Sequence, residues 1–259
     1  MARIFLCLAL VLITSEPAVA AQENPPAAPV FLEHLDVPAE FSQLILVTAR
    51  SWVSTSGKLE RFERSHGAWH TVGERVPVVF GSDGLAWGRG LQSAGLSGPD
   101  KREGDQRSPA GIFRLGPAFG YGATTINILG FPYRQATAGD FFVDDPRSKD
   151  YNTWVRQVAG DTKSWQSAEA MRRQDGLYEY GLVVQHNTDP IEPGAGSAIF
   201  LHIWRAPASP TVGCTAMSRQ AMLDILSWLN PVKQPILVQM PEFLLDELRF
   251  NKTSVDRQP

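Results

Sequence analysis

Cysteine is scarce in this sequence, with only two in 259 residues. Cys7 lies in an apolar stretch near the N-terminus, and Cys214 lies far from it in the C-terminal part of the chain. This scarcity excludes a scaffold that is held together by several disulfides. It leaves the question whether Cys214 is a reactive thiol or a small buried hydrophobic residue, which is a common role for a free cysteine.

Excess charge of either sign is also absent. The 24 Lys and Arg residues nearly balance the 27 Asp and Glu residues, so the formal net charge is -3. No run of Lys or Arg forms a basic face, which argues against binding to a nucleic-acid backbone. Paired metal-ligand motifs such as C-x-x-C and H-E-x-x-H are missing too. A zinc site would have to combine Cys214, His202 and His186, and it is kept only as an alternative.

Only one long apolar run occurs, over residues 4–13, and no second run follows it. At about ten residues, this run is half the length that a membrane-spanning helix needs. It follows Arg3 and precedes the sequence AVA at 18–20, which is typical of a signal-peptide cleavage site. We therefore predict a signal peptide over residues 1–20, a mature N-terminus near Ala21, and a location in the periplasm or cell envelope without a membrane span.

Short apolar runs separated by glycine and polar turns fill residues 42–90. Their spacing of about ten residues predicts consecutive strands, as in a β sandwich or barrel, rather than alternating strands and helices. Residues 138–174 show little periodicity, so we expect an irregular excursion there with one helical turn near residues 167–173.

These patterns divide the chain after the signal peptide into three parts. Residues 21–41 begin with a Pro/Ala-rich stretch and are predicted to be a linker. Residues 42–240 form one mainly β domain with a few short helices. Residues 241–259 are predicted to be a C-terminal tail.

The sequence SAIFLHIW at residues 197–204 predicts a strand that lies close to Cys214 in the chain. Alternation along a strand divides its side chains between two faces, with Ile199, Leu201 and Ile203 on one and Phe200, His202 and Trp204 on the other. A loop rich in turn residues follows and ends at Cys214. Beyond it, Ser218 is predicted to cap a helix that stops at Asn230-Pro231.

A loop that doubles back in this way can bring the thiol of Cys214 to the imidazole of His202. A cysteine nucleophile needs such a base within hydrogen-bond reach. A neighbouring imidazolium lowers a thiol pKa below its usual value of about 8.5, so we expect a populated thiolate at neutral pH. Gly213 permits close approach of the backbone, whose N–H groups could then form an oxyanion hole.

The complete string SAIFLHIWRAPASPTVGCTAMS resembles the active-site segment of the YkuD-type L,D-transpeptidase family. In that family a histidine on a strand precedes a [ST]-x-G-C motif, which TVGC at residues 211–214 matches. The segments EGDQRSPAGIFRL, FGYG, DDPRSKDYN and QHNTDPIEPGAGSAIFLH are similar to segments of one branch of the family. The resemblance therefore spans most of residues 42–240.

The resemblance implies a β-rich catalytic domain with Cys214 as the nucleophile, His202 as the general base and Gly213 in the oxyanion-hole region. The thiol would attack a carbonyl of a peptidoglycan stem peptide, release a terminal D-amino acid and form a thioester. An amine of a second stem would resolve the thioester and cross-link two diamino acid residues. The implied partners are therefore donor and acceptor stem peptides, and no metal or nucleotide cofactor is implied.

Two positions depart from the commonest form of the family motif, which has a second histidine before the glycine and an Arg or Asn two residues after the cysteine. Val212 and Ala216 stand there instead. A substitute group for binding the substrate carboxylate is therefore needed, and Arg205 is one candidate. The further candidate substrate-binding residues are Thr211, His186 and Asn187, with a purely structural role for His186 as the alternative.

Three other functions stay open at this point. Water could resolve the same thioester, which would make the protein an L,D-carboxypeptidase or an endopeptidase. A non-catalytic wall-binding domain would leave the cysteine and the histidine without a chemical role. Asp144 and Asp145 could also be read as the carboxylate pair of a glycoside hydrolase.

Overall fold

The computed structural model describes residues 31–35, 37–92, 96–123, 130–245 and 247. The predicted signal peptide and Cys7 lie outside these residues. The elements, in chain order, are α1 Phe31–His34, β1 Gln43–Ala49, β2 Ser56–Ser65, β3 Ala68–Val79, β4 Leu85–Trp87, β5 Ser108–Gly120, β6 Tyr133–Gln135, β7 Asp140–Val143, β8 Trp154–Arg156, β9 Ala168–Ala170, β10 Tyr180–Val184, β11 Phe200–Ile203, β12 Thr215–Met217, α2 Arg219–Trp228 and β13 Ile236–Pro241, with 3₁₀ turns at Pro231–Lys233 and Glu242–Leu244.

The principal sheet has ten strands and closes on itself. Its order is β10-β11-β12-β3-β2-β1-β13-β5, and β5 also pairs with β10, so all of its strands except β4 and β6 form a ring. The long strand β5 makes this closure possible, because residues 111–114 pair with β13 and residues 115–120 pair with β10. The mainly β prediction is therefore confirmed, and the sheet is barrel-like.

Strand β11 separates two buried clusters, as its alternation predicts. Ile199, Leu201 and Ile203 face the large core inside the ring. Phe200 lies on the opposite face, in a second cluster that also contains Cys214. This arrangement places the cysteine against the outer layer rather than within the principal core.

Helix α2 begins where the sequence predicts. The Ser218 hydroxyl accepts a hydrogen bond from the Ala221 N–H at 3.2 Å, which satisfies one of the free donors at the helix N-terminus. Met222, Ile225 and Leu226 are buried and hold the helix on the sheet. The helix ends before Asn230, as predicted.

The region from residue 138 to residue 174 is more regular than we predict from the sequence. Strands β8, β7 and β9 form a small three-stranded sheet, and residues 168–170, expected in a helical turn, are its edge strand. The residues Ala-Glu-Ala favour a helix, but pairing with β7 overrides that local preference. Buried Asp140 ties the sheet together, since it accepts hydrogen bonds from Trp154 at 2.9 Å and Arg156 at 2.8 Å.

Part of the segment that we predict to be a linker packs on the barrel. Phe31, Leu32, Leu35 and Phe41 are buried in the same core as β1.

Within the described residues, the helices are all too short or too polar to cross a membrane.

Candidate active site

The parallel pairing of β11 and β12 brings the two predicted catalytic residues together. His202 pairs with Ala216, and Cys214 lies two residues before Ala216. Because alternate residues of a strand share a face, Cys214 and His202 lie on the same face of adjacent strands. Phe200 lies on that face too, in the same buried cluster as Cys214.

The thiol and the imidazole nevertheless make their hydrogen bonds to the backbone. The Sγ atom of Cys214 lies 3.5 Å from the carbonyl oxygen of Ala198. Nδ1 of His202 lies 2.8 Å from the carbonyl oxygen of Ile203. A carbonyl can only accept, so the bond assigns the hydrogen to Nδ1 and leaves Nε2 unprotonated, as a general base requires.

Burial shifts the pKa values of Cys214 and His202 in the directions that disfavour a thiolate–imidazolium ion pair. Loss of solvent raises the pKa of the Cys214 thiol to about 12 and lowers that of the His202 imidazole to about 4. Both groups are therefore neutral at pH 7 in this structure. The prediction of a lowered thiol pKa is wrong for this state, because desolvation outweighs the hydrogen bond from the Phe200 backbone and the positive charges of Lys101 and Arg173, which lower the thiol pKa.

Tyr178 covers the pair. Its ring packs edge-on against His202, with the ring centres 5.1 Å apart, and against Phe200 at 5.5 Å. The guanidinium of Arg173 lies over the other side of the Tyr178 ring, 5.0 Å from its centre. Only 6% of the Cys214 surface is exposed as a result of this packing and that of the surrounding strands.

A group of partly exposed charges surrounds the Tyr178 side of the site. Arg173 forms a bidentate ion pair with Asp175 at 2.9 and 2.7 Å and a second contact with Glu169 at 3.3 Å. Arg205 lies further out, 67% exposed, with a looser contact of 3.6 Å to Asp175. The positive charge of Arg173 also lowers the pKa of both Cys214 and His202. Its effect on each pKa is smaller than that of burial.

Sequence reasoning missed Tyr178, Arg173 and Glu169. Glu169 and Arg173 belong to the segment for which we predict an irregular excursion, and Tyr178 follows that segment just before β10. Neither their residue types nor their spacing marks them as site residues. Only their packing around β11 and the cysteine turn at residues 211–214 identifies them.

Comparison with known families agrees with this geometry. The family model described as the YkuD L,D-transpeptidase catalytic domain matches residues 51–238, more than half of the 259-residue chain. The chain belongs to the YkuD family.

One solved structure is also similar in part to this YkuD protein. The crystal structure of the helical cell shape determining protein Pgp2 from Campylobacter jejuni aligns with 77% of this chain at 14% sequence identity and a TM-score of 0.35. The aligned part covers 48% of the Pgp2 chain, which is about half of its length. No curated protein sequence matches this YkuD protein.

The TVGC turn of this YkuD domain is held by its own threonine. The Gly213 N–H donates to the Thr211 hydroxyl at 3.1 Å, and that hydroxyl donates to the Cys214 carbonyl at 2.6 Å. Gly213 has φ +147°, a conformation that favours glycine. The Thr211 hydroxyl is thus used inside the turn, and its contact with substrate stays a prediction. Val212, in contrast, is 72% exposed beside the nucleophile.

His186 and Asn187 are buried in the YkuD domain and bonded to its backbone. Nδ1 of His186 accepts from the Arg89 N–H at 3.1 Å, and Nε2 lies 3.1 Å from the Ala195 carbonyl. Burial lowers the pKa of His186 to about 3, so the imidazole is neutral. The Asn187 amide bonds the backbone of Glu192 and Gly196. Substrate binding by these two residues stays a prediction and would require these bonds to break.

Asn152, which sequence reasoning also missed, holds the same loop in place. Its amide nitrogen donates to the carbonyls of His186 at 3.0 Å and Asn187 at 2.7 Å, and its oxygen accepts from the Ala198 N–H at 3.2 Å. The carbonyl of Ala198 is the one that faces the Cys214 thiol. Asn152 therefore links the region of residues 138–174 to the residues that precede β11, the strand that carries His202.

The remaining alternatives gain no structural support. The Asp145 carboxylate accepts from the backbone of Arg147 at 3.1 Å and Gln166 at 2.9 Å and therefore serves its own loop. Asp144 has one buried carboxylate oxygen without a hydrogen-bond partner. Among the described residues, no three His, Cys, Asp or Glu side chains are grouped so that they could hold a metal ion.

The thiol pKa leads to a first prediction. Cys214 in the folded protein is expected to react slowly with iodoacetamide at pH 7, and its rate should still be rising at pH 9, because little thiolate forms below a pKa of about 12. Peptide mass spectrometry of samples alkylated across this pH range measures the rate at Cys214. The same protein in urea is the control and should titrate near the ordinary pKa of about 8.5. A rate that levels off near pH 7 in the folded protein would contradict the burial argument.

Proposed function

We propose that this protein is a periplasmic, cysteine-dependent L,D-transpeptidase that acts on peptidoglycan stem peptides. The observation that carries the proposal is the placement of Cys214 and His202 on one face of adjacent strands in a chain of the YkuD family. That family implies peptidoglycan as the substrate. The periplasmic location rests on the predicted signal peptide over residues 1–20.

In the acylation step, Sγ of Cys214 attacks a carbonyl carbon of the donor stem. Nε2 of His202 takes the thiol proton and returns it to the nitrogen of the leaving D-amino acid. The peptide bond breaks as the thioester forms, so atoms and charges balance without an external reactant. We propose the Cys214 backbone N–H as a donor to the negative oxygen of the tetrahedral intermediate, whereas the Gly213 N–H would first have to leave the Thr211 hydroxyl, to which it donates at 3.1 Å.

In the second step, an amine of the acceptor stem attacks the thioester. His202 takes a proton from this amine, and the thiol leaves after regaining a proton. One amide bond has then replaced another, so the reaction needs no nucleotide or metal as an energy source. The product is a cross-link between two diamino acid residues.

Access to Cys214 requires a change at the Tyr178 side of the site. Since Cys214 is only 6% exposed, a stem peptide must displace the covering side chains before the thiol can attack it. The charges that it meets there are Arg173 and Glu169, which face each other across 3.3 Å. A stem peptide carries both carboxylate and ammonium groups, so these two side chains, together with exposed Arg205, are the residues that we propose for substrate recognition.

The second candidate is a hydrolase that uses the same acyl-enzyme. Val212 and Ala216 stand where the commonest family motif has side chains that bind polar groups, and Val212 is 72% exposed beside the nucleophile. A site that holds an acceptor amine poorly would admit water to the thioester. The product would then be a trimmed stem rather than a cross-link.

Incubation of the purified protein with disaccharide-tetrapeptides, followed by mass spectrometry, separates these functions. We expect cross-linked dimers. Trimmed monomers in place of dimers would establish the hydrolase, and unchanged substrate would favour the wall-binding alternative. Cys214→Ala, which should yield neither product, is the control for a contaminating activity.

A further inference from the structure

The carbonyl oxygen of Cys214 accepts hydrogen bonds from two hydroxyl groups. The Ser108 hydroxyl donates to it at 2.8 Å and the Thr211 hydroxyl at 2.6 Å. Both lone pairs of the oxygen are therefore used. Ser108 is completely buried and Cys214 is 6% exposed, so water is not available to replace the Ser108 bond, whereas Thr211 is half-buried.

The Ser108 hydroxyl is itself fixed by the barrel. It accepts a hydrogen bond from the Gly81 N–H at 2.9 Å, so its single hydrogen is directed to Cys214. Gly81 follows β3, and Ser108 is the first residue of β5. A side chain at position 81 would lie only 2.1 Å from the Gln106 carbonyl oxygen, so the two loops are in close contact at this glycine. Ser108 thus connects the cysteine turn to two strands of the ring.

Hydrogen bonds to the Cys214 carbonyl oxygen can influence how the nucleophile is oriented. The orientation of this carbonyl sets the plane of the peptide after Cys214 and hence the direction of the Cα–Cβ bond. One peptide earlier in the chain, the Val212–Gly213 peptide is held by the bond from the Gly213 N–H to the Thr211 hydroxyl, at 3.1 Å. The two hydroxyls therefore restrict the backbone around Cys214, which carries the Cα–Cβ bond to Sγ. A misplacement of about 1 Å at a reacting group can reduce a rate by about 10²-fold.

We propose that Ser108 is a positioning residue that acts through the Cys214 carbonyl, together with Thr211, to align the nucleophile for acylation. This inference rests on the proposed function, because it assigns Ser108 a part in thioester formation. A purely structural role for Ser108 predicts only a loss of stability in the variant. The positioning role predicts, in addition, a lower acylation rate in the protein that remains folded.

The test compares Ser108→Ala with Thr215→Val in the full chain. Thr215 is a matched control, since its hydroxyl donates to the Gln239 side chain at 2.7 Å and is equally buried, one residue after the cysteine. Ser108→Ala loses two buried hydrogen bonds and Thr215→Val loses one, and each bond typically contributes about 1 kcal/mol, so thermal unfolding of both variants is measured beside the rate. The rate of covalent acylation by a carbapenem, measured by intact mass in folded protein, is expected to fall by about 10- to 100-fold in Ser108→Ala only. Equal rates in the two variants would overturn the proposal.

If Ser108→Ala does not fold, a second pair of variants, at Thr211, tests the same positioning role. Thr211→Val should lower the maximal acylation rate at an unchanged half-saturating concentration, and Thr211→Ser should restore it. A rise in the half-saturating concentration alone would assign Thr211 to substrate binding and overturn the shared positioning role.

Wild-type protein that is not acylated would refute the proposed function rather than the positioning. Hydrogen exchange then tests whether Ser108 holds the cysteine turn, because this measurement does not require acylation. Protection of the Gly213 and Cys214 amides should fall in Ser108→Ala and not in Thr215→Val. Unchanged protection in Ser108→Ala would overturn it.

Discussion

Replacing Cys214 with alanine is expected to abolish covalent labelling by a carbapenem and all turnover of stem peptides. The reason is that Cys214 is the only thiol among the described residues and lies on the same face as His202. Alanine fills most of the same buried space, so we expect the fold to persist. Intact mass after incubation with the carbapenem measures the loss directly.

With the predicted signal peptide removed, Cys214 is the only cysteine of the mature protein, so any mass added to the Cys214→Ala variant measures unspecific modification of other side chains. Circular dichroism of the variant shows whether the barrel has formed. An adduct of equal yield in wild type and Cys214→Ala would refute the nucleophile assignment. Folded wild-type protein that never forms an adduct would count against the proposed function as a whole.

Replacing His202 with glutamine is expected to reduce the acylation rate by about 10²- to 10⁴-fold, the usual effect of losing a general base. A glutamine amide can still donate to the Ile203 carbonyl, which His202 contacts at 2.8 Å, but it cannot accept the thiol proton. We expect only a small decrease in thermal stability. Stopped-flow acylation and thermal unfolding of the same samples separate the two effects.

The wild-type pH profile provides an independent test of His202. Because burial lowers the pKa of its imidazole to about 4, the basic form is retained as the pH falls from 7 to 5. The acid limb of kcat/KM, which reports the free enzyme, should therefore lie well below the ordinary histidine pKa of about 6.5. A limb centred near pH 6.5 would contradict the buried state. His70→Gln, on β3 outside the site, is the control for the substitution itself and should leave the profile unchanged.

At the periplasmic location that we propose, the neutral state of the thiol and the imidazole would have a functional consequence. A thiolate is the form that oxidants and alkylating compounds attack, and burial suppresses it here. Substrate binding that displaces Tyr178 would change the solvation of both groups at the moment when the nucleophile is needed. If the proposed function holds, Tyr178 would shield Cys214, the only cysteine of the described residues, until a stem peptide binds.

Several features follow from the sequence alone because they depend on local chemistry. Strand alternation correctly separates Ile199 and Leu201 from Phe200, and the Ser218 cap correctly predicts the start of α2. The motif at residues 211–214 identifies the YkuD family, which the family comparison confirms. The pairing of β11 with β12 then converts two sequence positions, His202 and Cys214, into neighbours on one face.

The tertiary structure alone decides the remaining features, because each depends on segments that are distant in the chain. The small sheet of β8, β7 and β9 forms against local helix preference, since its pairing and the buried Asp140 outweigh the propensity of a few residues. The sequence neighbours of Ser108 do not indicate its bond to the Cys214 carbonyl. The direction of the Cys214 pKa shift is likewise a property of burial, which requires Tyr178 and the strands around it to be in place. A sequence motif can therefore name a nucleophile, but its protonation state depends on how much water the assembled fold leaves around it.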